Sequence, residues 1–375
     1  MADSAGALRR FVAPGRYVQG PGAIDQLGPV VADGWRRCVV LVDEFLAPEL
    51  WPRLERSLGA AGVAATMQAV SGEVTAERIQ RLATLVSRRQ ADVVVAVGGG
   101  KTLDTGKGVA RVLGVRIVTV PTIASNDGPA SRVIATYDEH HRLVATPTMA
   151  ENPWAVVVDT ELIAAAPVNY LLSGIGDAVA KRFEVAACGR GHGRTSAGTR
   201  PLALAGYIAD GCYDTLLRFA AEAVNSANRG TVTSALERVV EAVILMSGMA
   251  FENGGLSLAH SLTRGLMVTD GARERLHGEH VAYGLLVQLQ HEQDVTALAE
   301  VSAFLGKLGM AKSLEALGGT PDEETFAAIA VATLSAPHMA NCQPKPSAQS
   351  LTAALRAVER RGHGRLGTPK AGRAR

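Results

Sequence analysis

Three side chains of the kind that bind metal ions stand in unusual surroundings in the second half of the chain. Asp177 follows a Gly-Ile-Gly segment, His260 lies among small and apolar residues, and His277 precedes a Gly-Glu-His segment. Carboxylate and imidazole groups are ligands that zinc and ferrous iron accept. Each residue also has an ordinary interpretation, as a helix cap, a hydrogen-bonded core histidine or a surface residue before a helix. Their separations of 83 and 17 residues match no short zinc motif, so spacing alone leaves both interpretations open.

A glycine-rich segment at residues 92–107 is a second candidate for chemistry, with the sequence D-V-V-V-A-V-G-G-G-K-T-L-D-T-G-K. The valine-rich part predicts a strand buried on both faces. Gly98, Gly99 and Gly100 then lead into a predicted helix with Asp104 in or near its first turn. Bare backbone at a helix N-terminus attracts phosphate groups. The motif is not G-x-G-x-x-G, and a tight strand-to-helix turn is the alternative, but its position after a buried strand favours a cofactor site.

Strands and helices alternate through the first half of the chain. Strands are predicted within 11–28 and at 38–42, 64–70, 92–97, 116–120 and 155–159, with helices at 47–61 and 75–89 and a hairpin at 133–146. This alternation predicts a parallel sheet with helices on both faces. Ligands bind beyond the carboxyl ends of such strands. Asp43 ends one strand and is placed to accept a hydrogen bond from an adenosine ribose, or else is a solvated loop acid.

The pattern changes after Thr160, where apolar residues recur at helical spacing almost to Arg360. We therefore predict an α/β domain at 1–160, an all-helical domain at 161–360 and a disordered basic tail at 361–375. The active site of such a pair is expected in the cleft between the domains. The helix that carries Asp177 is predicted to begin close to that residue and to run through Cys188.

Composition excludes several classes of protein. The chain has 375 residues, 47% hydrophobic and 20% charged, with a formal charge of +2 and 4% aromatic residues. These values indicate a globular protein of about two domains and give no basis for nucleic-acid binding. We find no run of about 18–20 apolar residues for a membrane span and no signal peptide. Four scattered cysteines favour neither a disulfide framework nor a cysteine metal site. A cytoplasmic protein is expected.

Several collinear motifs between about residues 13 and 360 resemble the glycerol dehydrogenases of the metal-dependent, iron-group alcohol dehydrogenase superfamily. They include G-G-G-K-T-L-D-T-G-K at 98–107, P-T-I-A-S-N-D-G-P-A-S at 121–131, A-P-V-N-Y-L-L-S-G-I-G-D-A at 166–178, G-M-A-F-E-N-G-G-L-S-L-A-H at 248–260 and H-G-E-H-V-A-Y-G at 277–284. The resemblance implies a Rossmann-like NAD-binding domain and an all-α metal-binding domain, in the two-domain plan shared with dehydroquinate synthase. It also implies a homo-oligomer.

The resemblance assigns roles to individual residues. The implied metal ligands are Asp177, His260 and His277, with zinc as the usual ion and ferrous iron as the alternative. The implied cofactor contacts are Asp43, Gly98, Gly99, Gly100, Lys101, Asp104, Thr122, Ser131 and Tyr137. Asp127 falls beside the substrate, where it would orient a hydroxyl or join a proton relay, and Phe251 falls near the pocket wall. His280 is expected to flank the site only. Three protein ligands leave one metal position open, and a Lewis acid there stabilises an alkoxide while hydride moves to NAD.

The chain departs from the glycerol dehydrogenase pattern at several positions. Thr263 and Arg264 replace the usual His-Asn pair, Arg273 to Leu276 replace a histidine-rich stretch, and Asn126 and Gly128 replace Thr and Ala. Ser-Asn-Asp-Gly resembles the Ser-His-Asp-Gly of glycerol-1-phosphate dehydrogenases. Arg264 lies four residues after His260 and is predicted either to face the cleft, where it would favour a phosphate or carboxylate, or to form a salt bridge at the rim.

The principal hypothesis is therefore a zinc-dependent NAD(H) dehydrogenase that interconverts a small polyol or alcohol with its ketone or aldehyde, glycerol and dihydroxyacetone being the default pair. The alternatives are a dehydrogenase for an anionic substrate such as glycerol-1-phosphate, a binding protein that keeps the fold without turnover, and a lyase or cyclase like dehydroquinate synthase. NAD is preferred over NADP because a carboxylate at Asp43 would repel a 2′-phosphate.

Overall fold

The computed structural model describes residues 7–87, 91–139 and 142–363. Within these residues the first half of the chain forms a six-stranded, all-parallel sheet in the order β1-β8-β5-β4-β2-β3. The strands are β1 (Tyr17–Gly20), β2 (Arg37–Asp43), β3 (Ala64–Val70), β4 (Val93–Gly98), β5 (Arg116–Pro121) and β8 (Ala155–Asp159). A hairpin of β6 (Thr136–Tyr137) and β7 (Leu143–Ala145) forms a separate antiparallel pair. The predicted parallel sheet and hairpin are confirmed, and residues 140–141 of the hairpin turn lie outside the described residues.

Helices cover both faces of the sheet. They are α1 (Leu27–Ala32), α2 (Ala47–Ala60), α3 (Ala76–Ser87) and α4 (Gly100–Leu113). Every residue of β4 is buried, because α2 lies over one face of the central strands and α3 and α4 over the other. The strand's continuous valine run is the sequence pattern that such two-sided burial requires.

The described residues after β8 form helices and the loops that connect them, without a strand. The helices are α5 (Thr160–Ala165), α6 (Val168–Ala178), α7 (Lys181–Arg190), α8 (Ala203–Ala227), α9 (Ser234–Glu241), α10 (Ser247–Gly254), α11 (Leu258–Leu266), α12 (His277–Glu292), α13 (Val295–Lys307), α14 (Glu323–Leu334) and α15 (Ala348–His363). A π-helical turn at Ala242–Met246 joins α9 directly to α10. The predicted change to an all-helical structure is confirmed, and none of the described helices is long and apolar enough to span a membrane.

Two glycines of α12 allow helices to approach closely around its first half. A Cβ on Gly278 would lie 1.7 Å from the carbonyl oxygen of Ser173 in α6, and one on Gly284 would lie 2.4 Å from that of Ala259 in α11. Any side chain at either position would push the neighbouring helix away. These contacts fix α6, α11 and α12 around one point, and each of the three helices carries one of the predicted metal ligands.

Two boundary predictions differ from the structure. Asp177 lies near the end of α6, and a new helix, α7, carries Cys188. One continuous helix from Asp177 was therefore a wrong prediction, since α6 ends at Ala178 and α7 begins at Lys181. Helix α15 continues to His363, three residues into the predicted tail. The rest of that tail lies outside the described residues.

Candidate active site

The side chains of Asp177, His260 and His277 converge. One ligand atom from each lies within 4.8 Å of the other two. His260 Nε2 is 3.0 Å from Asp177 Oδ1, and His277 Nε2 is 3.9 Å from the same oxygen. An ion with metal–ligand bonds of about 2.0–2.2 Å can reach atoms at such separations. The donor set of one carboxylate and two imidazoles therefore fits a divalent zinc or iron ion with an open coordination position.

Glu184 of α7 orients His260. One carboxylate oxygen, Oε1, accepts hydrogen bonds from the backbone N–H groups of Ser257 and His260 at 2.8 and 3.0 Å, and the other, Oε2, lies 2.5 Å from His260 Nδ1. This arrangement turns Nε2 toward Asp177 and leaves it as the coordinating nitrogen. Burial alone would lower the pKa of His260, but the Glu184 and Asp177 carboxylates outweigh burial and raise it to about 9. A metal ion would therefore displace a proton from His260 when it binds.

His277 differs from His260 in its surroundings. It is the first residue of α12, and its side chain is 46% exposed. Partial burial of the ring, together with the positive charges of His260 and Lys181, lowers the pKa of His277, against the opposing attraction of Asp177. A lowered pKa favours the neutral imidazole, which is the form that coordinates a metal ion.

Lys181, one turn beyond Asp177, points into the same centre. Its side chain is 1% exposed, and its ammonium nitrogen lies 2.6 Å from Asp177 Oδ1, 3.2 Å from Asp127 Oδ2 and 3.2 Å from His260 Nε2. Burial alone would lower the pKa of Lys181, but the carboxylates of Asp127, Asp177 and Glu184 raise it above its usual value. The lysine is therefore a fixed positive charge in the middle of the cluster.

Asp127 adjoins the cluster from the loop after β5. Its Oδ2 accepts hydrogen bonds from Lys181 and, at 2.8 Å, from the Ser247 hydroxyl of α10. Burial raises the pKa of Asp127, although Lys181 and Ser247 oppose the shift. Phe251 lies one turn after Ser247 on α10 and is buried. The structure thus brings the residue predicted beside the substrate next to the three predicted metal ligands.

The buried ammonium of Lys107 fixes the loop that carries Asp127. It donates hydrogen bonds to Asp104 Oδ1 and to the backbone carbonyl oxygens of Gly128 and Val133, at 2.9, 2.6 and 3.1 Å. The other carboxylate oxygen of Asp104 accepts from the Ala135 N–H group at 2.9 Å. Asp104 therefore ties α4 to this loop directly through Oδ2, and its Oδ1 holds the Lys107 ammonium that bonds the loop.

The three glycines form an open turn between β4 and α4. Gly98 has a φ angle of +154°, and a Cβ there would lie 2.8 Å from the Thr102 side chain. Gly99 is the N-cap residue of α4 and offers no side-chain cap, and a Cβ on Gly100 would meet only Asn126 Nδ2 at 3.8 Å. Uncapped backbone N–H groups at the start of a 14-residue helix suit a pyrophosphate.

Two other predicted cofactor contacts, Asp43 and Thr122, lie beside this turn. Asp43 accepts hydrogen bonds from the Phe45 N–H group at 3.0 Å and the Thr102 hydroxyl at 3.3 Å. The Thr122 N–H group donates to the Gly98 carbonyl oxygen at 3.1 Å. Tyr137 of β6 is half-buried, and its pKa is raised to about 12, chiefly by burial and also by Asp104 and Glu73.

Two predicted cofactor contacts have their side chains directed to protein partners. Lys101 forms a 3.0 Å ion pair with Glu73. The Ser131 hydroxyl donates to Glu252 at 2.9 Å and accepts from the Val133 N–H group at 3.0 Å. A cofactor contact by either side chain would therefore require an exchange of partners.

Arg264 and His280 are directed away from the cluster. Arg264 is exposed, and its guanidinium lies 3.4 Å from the Ser335 carbonyl oxygen instead of forming the salt bridge that was one of its predicted interpretations. His280 is buried, with Nε2 2.6 Å from the Ala272 carbonyl oxygen. His280 thus flanks the site, as expected.

Sequence reasoning missed Lys181, Glu184 and Ser247, and it gave Lys107 no role in fixing the loop of Asp127. The first two lie four and seven residues after Asp177, a spacing that places side chains on one helix face. Charged residues at those positions in an otherwise apolar segment were the available signal. No local pattern marks Ser247, since its partner Asp127 lies 120 residues away in the sequence. Lys107 lies in the glycine-rich segment, three residues after its partner Asp104.

Residues 18–167 match the family of iron-containing alcohol dehydrogenases. A glycerol dehydrogenase from Thermotoga maritima is 36% identical over 94% of this chain and 97% of the relative, and one from Pseudomonas putida is 39% identical over 84% and 87%. The solved glycerol dehydrogenase of Schizosaccharomyces pombe superposes with a TM-score of 0.91 at 32% identity, over 96% of this chain and 92% of that one. This chain thus belongs to the glycerol dehydrogenase family of metal-dependent, iron-containing alcohol dehydrogenases and is an oxidoreductase.

Proposed function

We propose that the protein is a zinc-dependent, NAD(H)-linked dehydrogenase that interconverts a small polyol with its ketone or aldehyde, glycerol and dihydroxyacetone being the default pair. The convergence of Asp177, His260 and His277 beside Asp127 is the observation that carries this proposal. The relatives named glycerol dehydrogenase support the same substrate class.

When bound, the metal ion supplies a Lewis acid and NAD supplies a hydride acceptor. Asp177, His260 and His277 would hold the ion, and Glu184 keeps His260 Nε2 turned toward it. Asp127 would orient the substrate and accept a proton from its hydroxyl group. Burial raises the pKa of Asp127 and makes its carboxylate a better base than an exposed one. The turn at Gly98 to Gly100 would receive the pyrophosphate through backbone N–H groups.

Asp43 supports NAD as the cofactor. Its carboxylate lies beside the glycine turn, since a Cβ on Gly98 would come within 3.0 Å of the Asp43 Cβ atom. A negative charge there would accept a bond from a ribose hydroxyl and repel a 2′-phosphate. The anionic-substrate alternative loses its main support, because the Arg264 guanidinium contacts a surface carbonyl group.

The proposal extends to the organisation of the protein. We place the domain boundary at residues 160–161, at the first residue of α5 and directly after the end of β8. The proposed metal ligands and the substrate residues other than Asp127 lie in the helical domain at 161–360. The glycine turn lies in the α/β domain at 1–160. We also propose a homo-oligomer in the cytoplasm.

The test is a spectrophotometric screen for NADH and NADPH oxidation with dihydroxyacetone, other small ketones and aldehydes, and phosphorylated analogues, using zinc-loaded protein. We expect turnover of neutral carbonyl compounds with NADH. His277→Ala should lose activity and zinc, whereas His291→Ala, which changes another histidine of α12, should keep both. A zinc-loaded enzyme that turns over no compound of the panel would contradict the proposed substrate class. Equal activity with NADPH and NADH would contradict the role of Asp43.

A further inference from the structure

A buried ammonium group shares the ligand atoms of the candidate metal centre. Lys181 Nζ lies 2.6 Å from Asp177 Oδ1 and 3.2 Å from His260 Nε2. Both of these atoms would coordinate the proposed metal ion. The Lys181 ammonium also lies 3.2 Å from the Asp177 carbonyl oxygen and from Asp127 Oδ2. Its neighbours are thus the groups that would surround a bound cation.

The distances leave little room between the two cations. A zinc ion would lie about 2 Å from both Asp177 Oδ1 and His260 Nε2. Because Lys181 Nζ lies 2.6 Å from that oxygen, the ion and the ammonium nitrogen would be less than about 5 Å apart. Like charges this close in a buried site repel strongly. The same oxygen atom of Asp177 would also have to coordinate the ion and accept the hydrogen bond from Lys181.

The charge of the site nevertheless accommodates both cations. Three buried carboxylates surround Lys181, namely those of Asp127, Asp177 and Glu184. One ammonium group neutralises only part of their charge, and a divalent ion would neutralise the rest. Buried carboxylates without compensation are costly. Lys181 therefore stabilises the ligand set without an ion, and it weakens the attraction of that set for one.

We propose that Lys181 is a resident cation of the metal centre that competes with the metal ion for Asp177 and thereby lowers its affinity. The inference rests on the proposed metal centre. Two consequences follow from it. The protein folds without the ion, because Lys181 holds Asp177 and Asp127 together, and metal binding moves the ammonium off Asp177 Oδ1.

The test compares zinc affinity in the full-length protein and in Lys181→Met, which removes the charge but keeps an unbranched side chain of similar length. Zinc is titrated in competition with a chromophoric chelator. We expect Lys181→Met to bind zinc at least about tenfold more tightly than the unmodified protein. Lys181→Arg keeps the charge and should bind no more tightly than the unmodified protein. Lys307→Met, on the exposed end of α13, is the matched control and should change nothing.

A thermal readout separates this role from a purely structural one. Without zinc, Lys181→Met should unfold at a lower temperature than the unmodified protein, because Asp177 and Asp127 lose the ammonium group that they share. Saturating zinc should raise the unfolding temperature of Lys181→Met by more than it raises that of the unmodified protein, since stabilisation by a ligand grows with its affinity. If Lys181→Met folds only with zinc, crystal structures of the unmodified protein with and without zinc decide the question. Nζ should leave Asp177 Oδ1 when zinc is bound, and its retention there would overturn the proposal.

The possible failures are distinguishable. Zinc binding of equal affinity in the unmodified protein and Lys181→Met would overturn the role of Lys181 and leave the metal centre standing. Absence of binding in both proteins, or binding that His260→Ala does not abolish, would overturn the metal centre and this inference with it.

Discussion

Gly98 and Gly100 have different reasons for lacking a side chain. At Gly98 the φ angle of +154° and the 2.8 Å distance from a Cβ to Thr102 make any other residue strained within the protein itself. At Gly100 a Cβ would meet no protein atom closer than 3.8 Å. The protein alone therefore does not require glycine at position 100. A pyrophosphate bound at the start of α4 would require glycine there, because a Cβ would stand between it and the backbone N–H groups.

The pair of substitutions Gly98→Ala and Gly100→Ala tests this distinction. We expect Gly98→Ala to lower the free energy of unfolding by roughly 1–3 kcal/mol, and Gly100→Ala to change it by less than about 0.5 kcal/mol. Both should weaken NADH binding, measured by fluorescence titration. NADH affinity that is unchanged in a stable Gly100→Ala protein would place the cofactor elsewhere.

Residue types were easier to predict than the partners that orient them. Asp177, His260 and His277 could be selected because carboxylate and imidazole side chains in small-residue segments are unusual. Their convergence could not be derived from spacing, since it depends on how α6, α11 and α12 pack at Gly278 and Gly284. Glu184 and Lys181 escaped notice because charged residues on helices are usually solvated.

At the scale of helices and strands, long periodic patterns predicted positions well and helix ends less well. The strands from β2 to β5 and β8 were predicted within a residue or two, because buried valine runs between polar loops are distinctive. The break between α6 and α7 was missed, since Ala178, Val179 and Ala180 are compatible with a continuing helix. Tertiary packing, which the local sequence does not encode, determines where that helix ends.

An ion pair joins the turn before α1 to α2 and makes a testable contribution to stability. Arg53 donates to both carboxylate oxygens of Asp25, at 2.7 and 2.8 Å. This hydrogen bonding lowers the pKa of Asp25. A carboxyl group whose pKa is lower in the folded state stabilises the fold above its unfolded pKa of about 3.9, and that contribution is lost as the pH falls through the folded value.

Asp25→Asn should therefore destabilise the protein near neutral pH and have less effect in acid. The Asp25 side chain is 55% exposed, so solvent screening limits the loss to less than about 1 kcal/mol. Urea unfolding of both proteins at about pH 7 and about pH 3 measures the difference. A loss that stays the same at both pH values would mean that the neutral contacts of this turn, such as the 2.7 Å bond from the Ser57 hydroxyl to the Asp25 carbonyl oxygen, matter more than the charge.

At the scale of the whole molecule, buried polar contacts connect the sheet to the helices. Glu252 of α10 accepts hydrogen bonds from the Ser131 hydroxyl, the Arg132 N–H group and the Asn152 side chain. The Asn253 side chain exchanges two hydrogen bonds with the backbone of Val12, at 2.7 and 2.8 Å. The Glu252 contacts hold the loop after Asp127 against α10, and the Asn253 contacts hold the segment before β1 against the same helix.

Glu252→Ala should weaken this connection more than Glu252→Gln. Alanine leaves three buried donors without an acceptor, which is expected to cost roughly 2–4 kcal/mol of unfolding free energy. Glutamine keeps an acceptor oxygen and the side-chain volume, and should cost less. Hydrogen exchange measured by mass spectrometry should rise in both residues 128–135 and α10 of Glu252→Ala, because each segment is buried against the other through Glu252. Equal stability of the two variants, with exchange unchanged in either segment, would show that apolar packing alone joins the sheet to the helices.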